Sequence, residues 1–174
     1  MSARRSPNDA AASTPSAALG GERPTRVRRL LRWVLIVPVG VFLLIQLVPY
    51  GRSHTNPPTT QEPRWNEPAT RTLAVRACFD CHSNLTTWPW YSSVAPSSWL
   101  VQRDVDDGRS ALNFSEWNKP QDGAGDVTEA VAKGSMPPWQ YKLLHGKARL
   151  SKGDRQRLIN GLAATLRSAP APGG

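Results

Sequence analysis

The hydrophobic positions of the chain form one long uncharged run near the N-terminus, followed by several short patterns that are typical of helices. The run covers residues 33–50, from Trp33 to Tyr50, and contains no charged side chain. A helix of that length is about 27 Å long, close to the thickness of the hydrocarbon layer of a bilayer. Aromatic rings at both ends are typical of the two membrane interfaces. The pattern therefore predicts a single transmembrane helix over residues 33–50.

Four later segments have helical patterns, whereas strand patterns are weak. Residues 70–77 and 96–107 fit short helices, the second with Gly108 just past its end. Residues 126–134 begin with a capping-box pattern and end with a glycine stop signal. The last helix begins at Ser151 and carries an apolar stripe. The stripe consists of Leu158, Ile159, Leu162 and Leu166. These patterns predict an all-α domain.

Positive charge is densest before the uncharged run. Residues 1–32 hold seven arginines and two acidic residues, whereas residues 51–174 hold 15 basic and 11 acidic residues. Because positive flanks stay on the cytoplasmic side, the pattern predicts an uncleaved signal anchor with a cytoplasmic N-terminus and an exported remainder. The basic head contains no aromatic residue and no folded basic face, so we expect no nucleic-acid partner.

Composition divides the chain into five segments. We predict a disordered basic cytoplasmic head over 1–32, the transmembrane anchor over 33–50, a proline-rich tether over 51–68, a folded domain over 69–168 and a flexible tail over 169–174. With only two cysteines, the chain cannot form a disulfide-dense scaffold or a four-cysteine metal or cluster site.

Both cysteines stand in the run Cys78-Phe-Asp-Cys81-His82. Two thiols separated by two residues can reach the two vinyl groups of one porphyrin, and the imidazole that follows can bind its iron. Three other uses compete. A thioredoxin-like site needs a βαβ context, and no such pattern occurs in this chain. A disulfide in so tight a loop adds little stability. A zinc site is disfavoured because adjacent Cys and His ligands fit tetrahedral coordination poorly. The motif predicts one covalent haem c, attached through Cys78 and Cys81, with His82 as an axial ligand.

An electron carrier of this kind needs a sixth iron ligand. Met136 is the first candidate, because the two prolines that follow it stiffen the backbone behind a weak thioether ligand. His145 is the alternative, and a vacant sixth position is the third interpretation. Ligation by His and Met raises the reduction potential and favours electron transfer.

Aromatic residues follow the motif closely and are candidates for the wall of the haem pocket. They are Trp88, Trp90, Tyr91 and Trp99. We also expect the second ring nitrogen of His82 to donate to a backbone carbonyl, which would fix the plane of the ring. A carbonyl close to Pro89 or Pro96 is the candidate acceptor.

Several runs of the sequence resemble the haem-binding domain family of monohaem c-type cytochrome-like proteins. They are residues 48–57, 78–99 with its Trp-Pro-Trp-Tyr run, 108–117 and 136–141. The resemblance covers roughly residues 46–160. It implies covalent haem on Cys78 and Cys81, His82 as axial ligand, and Met136 at the Met-Pro-Pro position.

These observations predict a small cytochrome-c-like helical domain wrapped around one haem and preceded by a single transmembrane helix. We expect single-electron transfer at the outer face of a bacterial inner membrane, on the periplasmic side, with a redox protein as partner. The predicted role is that of an electron carrier rather than a catalyst. The alternative is a peroxidase-like haem enzyme or a haem-based sensor with a displaceable sixth ligand.

Overall fold

The computed structural model describes residues 25–172 of the chain. Within these residues the secondary structure is helical, and the only β pairing is an isolated bridge between Gln61 and Glu116. The helices are α1 (Thr25–Ile45), α2 (Pro68–Ala77), α3 (Phe79–His82), α4 (Ser97–Ala111), α5 (Val127–Lys133), α6 (Trp139–Leu144) and α7 (Lys152–Ser168). Two 3-10 turns cover Trp90–Ser93 and Gly146–Ala148. The predicted all-helical class is confirmed for the described residues.

The chain divides into two compact units, and the boundary between Val41 and Phe42 lies within α1. Helix α1 begins at Thr25, so the last part of the predicted disordered head is helical, and the rest of that head lies outside the described residues. Leucine and arginine are good helix formers, which explains the earlier start. Among residues 25–172, no helix is long and apolar enough to cross a membrane. The anchor over residues 33–50 stays a prediction.

The core of the second unit forms where α2 and α7 cross. Gly161 of α7 faces Thr70 of α2 so closely that a Cβ at position 161 would lie 2.1 Å from the Thr70 Oγ1. Of the predicted stripe on α7, Leu158 and Leu162 are buried, and the other two residues pack against the core. The remaining buried members of this core are Leu73, Ala74, Phe79, Leu112, Phe114, Trp117, Ala124, Val131 and Ala171.

Two predicted helix ends are confirmed by their capping contacts. The Oγ of Ser151 accepts a hydrogen bond from the backbone N–H of Asp154 at 3.0 Å and so caps the start of α7. Helix α5 ends at Gly134, which has φ = 75° in the left-handed region that favours glycine. Local sequence signals therefore decide where α7 begins and where α5 ends, whereas the predicted capping box of α5 was wrong: Asp126 precedes this helix without a side-chain capping hydrogen bond.

The predicted end of α4 was wrong. Gly108 lies inside this helix, which continues to Ala111. A Cβ at position 108 would lie 2.5 Å from the carbonyl oxygen of Cys81. The glycine is required because α4 and α3 approach each other closely at this point, not because the helix stops there. Helix α6 was missed because it spans only six residues, too few for a periodic pattern.

The predicted proline-rich tether is part of the surface of the second unit. The backbone N–H groups of Thr60 and Gln61 donate to the carbonyl of Ser115 at 2.9 and 3.1 Å. The Arg109 guanidinium donates to the carbonyl of Thr55 at 3.0 Å. Proline keeps this segment extended, and an extended backbone leaves its N–H and carbonyl groups free to hydrogen-bond with the segments it crosses. The segment therefore packs on the domain instead of forming a free spacer.

Candidate haem site

A cavity of about 410 Å³ lies between α3, α4, α5 and the segment that leads into α6. Its volume falls in the usual range for small-molecule and cofactor pockets. Both cysteines, His82 and Met136 line this cavity. The fold thus brings together the four residues that the sequence singled out for one cofactor, although 54 positions separate His82 from Met136.

The wall of the cavity is mainly apolar, with a band of carboxylates. Its apolar part includes Ala77, Ala111, Leu112, Phe114, Val127, Ala130, Val131, Pro137 and Pro138. Its acidic part consists of Asp80, Asp104, Asp107 and Asp126. Burial raises the pKa of the Asp104 carboxyl, and the neighbouring Asp107 raises it further. A flat, largely apolar group such as a porphyrin fits this lining.

His82 is held in a defined orientation by the last turn of α4. Its Nδ1 lies 2.9 Å from the carbonyl oxygen of Gly108 and 3.0 Å from that of Leu112. Because a carbonyl can only accept, Nδ1 carries the proton, and Nε2 is left unprotonated, with a lone pair that could bind a metal. Burial lowers the pKa of His82, which also favours the neutral ring. The expected acceptor near Pro89 or Pro96 was wrong, because the fold places the end of α4 against His82: the Leu112 carbonyl lies just past the helix, and the Gly108 carbonyl accepts from Nδ1 in addition to the Leu112 N–H.

The two thiols are protonated groups in apolar surroundings. Cys78 ends α2, and its carbonyl accepts the backbone N–H groups of Cys81 at 3.1 Å and His82 at 2.9 Å, which closes the turn of α3. Burial raises the pKa of each thiol to about 12. Redox-active and metal-binding cysteines have lowered pKa values instead. No group of His, Cys, Asp and Glu suited to a metal ion occurs in the described part of the chain.

Met136 lies between α5 and α6, and its side chain is 40% exposed. Its backbone N–H donates to the carbonyl of Ala130, near the end of α5, at 3.2 Å. Pro137 and Pro138 follow it in the wall of the cavity. Met136 therefore lines the cavity from a segment whose backbone has little freedom to move.

The structure does not place His145 in this wall. The His145 ring stacks on Tyr141, with the ring centroids 4.0 Å apart, and lines a separate cavity of about 40 Å³. Its Nδ1 lies 3.1 Å from the Tyr141 carbonyl, and its Nε2 lies 3.4 Å from the Tyr91 hydroxyl. Both ring nitrogens therefore have polar partners outside the larger cavity.

The four aromatic residues proposed as pocket walls also lie outside the larger cavity. Trp88 stacks on His54 at a centroid distance of 4.8 Å, and Trp90 is 82% exposed. Tyr91 lines the smaller cavity, and the Nε1 atom of Trp99 is buried without a hydrogen-bond partner. Nearness in sequence to the haem motif did not predict which residues line the larger cavity, because much of its wall comes from segments distant in sequence.

Sequence reasoning missed Tyr141 and Gly123, which both line the larger cavity. Tyr141 stands in the run 136–141 that carries the family resemblance, and this run was the available signal. A Cβ at Gly123 would lie 2.9 Å from the carbonyl oxygen of Ala111, so this glycine permits a close approach to the end of α4. No local pattern marks that contact.

Fold and site together define a class of protein: a small helical domain with a cofactor cavity on which two thiols, an imidazole and a thioether converge. The family described as "Haem-binding domain" matches residues 40–164, more than two thirds of the chain. The chain therefore belongs to this family, as the resemblance predicted, and its cofactor is haem. No curated protein and no solved structure matches the chain.

Proposed function

We propose that the protein carries one covalently bound haem c and transfers single electrons to or from another redox protein. The observation that carries the proposal is the convergence of Cys78, Cys81, His82 and Met136 on one cavity of about 410 Å³. When bound there, haem supplies a one-electron iron couple, whose potential His/Met ligation raises.

Cys78 and Cys81 are the proposed attachment sites. With haem bound, each S–H would add across one vinyl group, with the sulfur on one carbon and the hydrogen on the neighbouring carbon, and this addition would need no oxidant. The raised pKa of both thiols keeps this hydrogen on the sulfur before attachment. The short α3 turn holds the two thiols next to His82.

The protein supplies the two proposed axial ligands on separate segments. His82 offers Nε2 because the carbonyls of Gly108 and Leu112 hold its Nδ1 proton. Met136 offers its sulfur from the Pro-stiffened loop before α6. Helix α5 gives the site an apolar side through Val127, Ala130 and Val131, and an apolar surrounding is one way in which a protein tunes a haem potential.

Replacing Met136 with alanine tests the sixth ligand. We expect the wild-type protein to be low-spin, with the weak long-wavelength band that methionine ligation produces in the oxidised state. The Met136→Ala variant should lose this band and bind added imidazole roughly tenfold more tightly or better, because no internal ligand competes. Absorption spectroscopy with imidazole titration measures both effects.

The matched control is Leu143→Ala, an exposed position on α6 outside the cavity, which should leave the spectrum unchanged. Persistence of the methionine band in Met136→Ala would contradict the assignment of this ligand. A high-spin wild-type protein that binds carbon monoxide readily would instead favour the peroxidase-like enzyme or the haem-based sensor.

We further propose that the uncharged run over residues 33–50 holds the protein at a membrane. The support is the absence of charge in this run, the arginines before it, and the exposure of its large apolar side chains, such as Leu35 at 66% and Leu43 at 60%. Full-length protein expressed in a bacterium should stay in the membrane fraction after an alkaline carbonate wash. Recovery of most of it in the soluble fraction would refute this part of the proposal.

A further inference from the structure

Helix α6 begins three residues after Met136 and has few attachments to the rest of the domain. None of its residues is fully buried, and among the described elements its backbone approaches only the 3-10 turn Gly146–Ala148 that follows it. Trp139 and Leu143 are 70% and 61% exposed. Hydrophobic burial therefore does little to hold α6 in place, so its position depends on specific polar contacts.

The strongest of these contacts joins Tyr141 to the haem motif. The Oη of Tyr141 donates to Oδ2 of Asp80 at 2.5 Å, and Oδ1 of Asp80 accepts the backbone N–H of Thr87 at 3.0 Å. A hydrogen bond to an ionised carboxylate is roughly twice as strong as one between neutral groups. Asp80 stands between the two attachment cysteines, so this contact connects α6 to the turn that carries Cys81 and His82.

Arg149 donates to the carbonyls of Lys142 at 2.7 Å and Leu143 at 3.0 Å, which fastens α6 to the turn that follows it and not to the haem motif. The remaining ties of this segment are longer. The backbone N–H of Met136 donates to Ala130 at 3.2 Å, and the Tyr91 hydroxyl lies 3.4 Å from the Nε2 of His145. Pro137 and Pro138 limit the backbone freedom between Met136 and α6. A displacement of Tyr141 is therefore transmitted to Met136 instead of being absorbed by the loop.

We propose, on the basis of the proposed haem function, that Asp80 and Tyr141 form a latch that positions Met136 and thereby controls access to the sixth iron position. The latch consists of these two side chains and their hydrogen bond. Both are positioning residues, since they act through Met136. Loss of the hydrogen bond frees α6, and Met136 then competes less well with an outside ligand.

The first test is Tyr141→Phe in the full haem-loaded chain, titrated with imidazole and followed by absorption. Removal of a hydrogen bond to a charged group should raise the apparent imidazole affinity roughly tenfold or more and weaken the methionine band. The matched control is Tyr91→Phe, which removes one hydroxyl from the smaller cavity but leaves the latch intact; at 3.4 Å from His145 Nε2 this hydroxyl is too distant to hold the segment firmly. Its imidazole affinity should equal that of the wild type.

A second readout does not depend on ligand binding. Met136 is the only methionine besides Met1, so its conversion to the sulfoxide by chloramine T can be followed cleanly by mass spectrometry. Opening of the latch should make this oxidation several-fold faster in Tyr141→Phe than in the wild type or in Tyr91→Phe. A purely structural change elsewhere in the domain would not expose Met136 selectively.

Asp80→Asn provides the partner variant. It keeps an acceptor for the Thr87 N–H and weakens the bond to Tyr141, so it should shift imidazole affinity in the same direction by a smaller factor. If Tyr141→Phe does not fold, the imidazole titration of Asp80→Asn tests the latch in its place. In a double-mutant cycle, the variant with both substitutions should bind imidazole no more tightly than Tyr141→Phe alone, because both substitutions remove the same hydrogen bond.

The outcomes separate the latch from the haem function. A wild-type protein without covalent haem or without the methionine band would refute the proposed function. A wild-type protein that shows both, combined with unchanged imidazole affinity and unchanged Met136 oxidation in Tyr141→Phe and Asp80→Asn, would refute the latch alone. Additive effects of the two substitutions would also refute it.

Discussion

Replacement of Cys78 and Cys81 together by serine is expected to leave a protein without covalently bound haem. A serine hydroxyl does not add to a vinyl group as a thiol does, and the chain has no other cysteine that could substitute. Each single variant should keep one linkage. Mass spectrometry under denaturing conditions measures the effect directly, since wild-type protein matured in a competent host should weigh one haem more than its polypeptide.

The same double variant should also be much less stable than the haem-loaded protein. The cavity of about 410 Å³ forms part of the interior of a domain of modest size, and a cofactor that binds only the folded state stabilises that state. We expect a loss of roughly 10 °C or more in the unfolding midpoint. The control is Leu85→Ala, an exposed position close to the motif but outside the cavity.

Two results would contradict this expectation. One is a wild-type protein with the mass of its polypeptide alone after expression with the haem-attachment machinery. The other is a double variant that retains haem after denaturation. The first would remove the covalent cofactor from the proposal, and the second would show that other residues attach it.

Gly108→Ala is expected to destabilise the domain and reduce haem loading, although alanine is the better helix former. In a helix interior without close neighbours this substitution stabilises by about 0.5–1 kcal/mol. Here the new Cβ would lie 2.5 Å from the carbonyl oxygen of Cys81 and 3.0 Å from its carbonyl carbon. Backbone atoms cannot rotate away, so α4 must shift from α3, at a cost of about 1–3 kcal/mol or more.

The shift of α4 reaches the cofactor site because the carbonyl of Gly108 also holds Nδ1 of His82 at 2.9 Å. Thermal unfolding and the haem absorbance per mole of protein measure the two consequences. Gly125→Ala is the matched control, since a Cβ there meets nothing within 4 Å. A Gly108→Ala protein that is as stable as the wild type and fully loaded with haem would show that the contact between α3 and α4 can relax.

Local signals predicted much of the fold. The capping residue Ser151, the stop at Gly134 and the apolar stripe of α7 depend on interactions within a few residues, so they can be read without knowledge of the rest of the chain. The end of α4 could not be predicted in this way. Gly108 has the same local signature as a helix stop, and its contact with Cys81 is 27 positions away in sequence.

The candidate site shows the same difference between features set by local sequence and features set by distant contacts. Cys78, Cys81 and His82 stand within five consecutive residues, so their spacing alone predicts a porphyrin as the group they would bind. Met136 was singled out by its residue type and its prolines, and the structure places it in the same cavity. By contrast, His145 and the aromatic residues after the motif were selected by type and proximity, and the fold directs them elsewhere.

The sequence by itself determined the kind of cofactor and the helical class of the domain, because thiol spacing, helix caps and apolar periodicity act over a few residues. Only the tertiary structure decided which carbonyls orient His82, why position 108 must be glycine and how Tyr141 reaches Asp80. Those features are contacts between segments 26 to 61 positions apart, and they exist only once the chain has packed around the cavity.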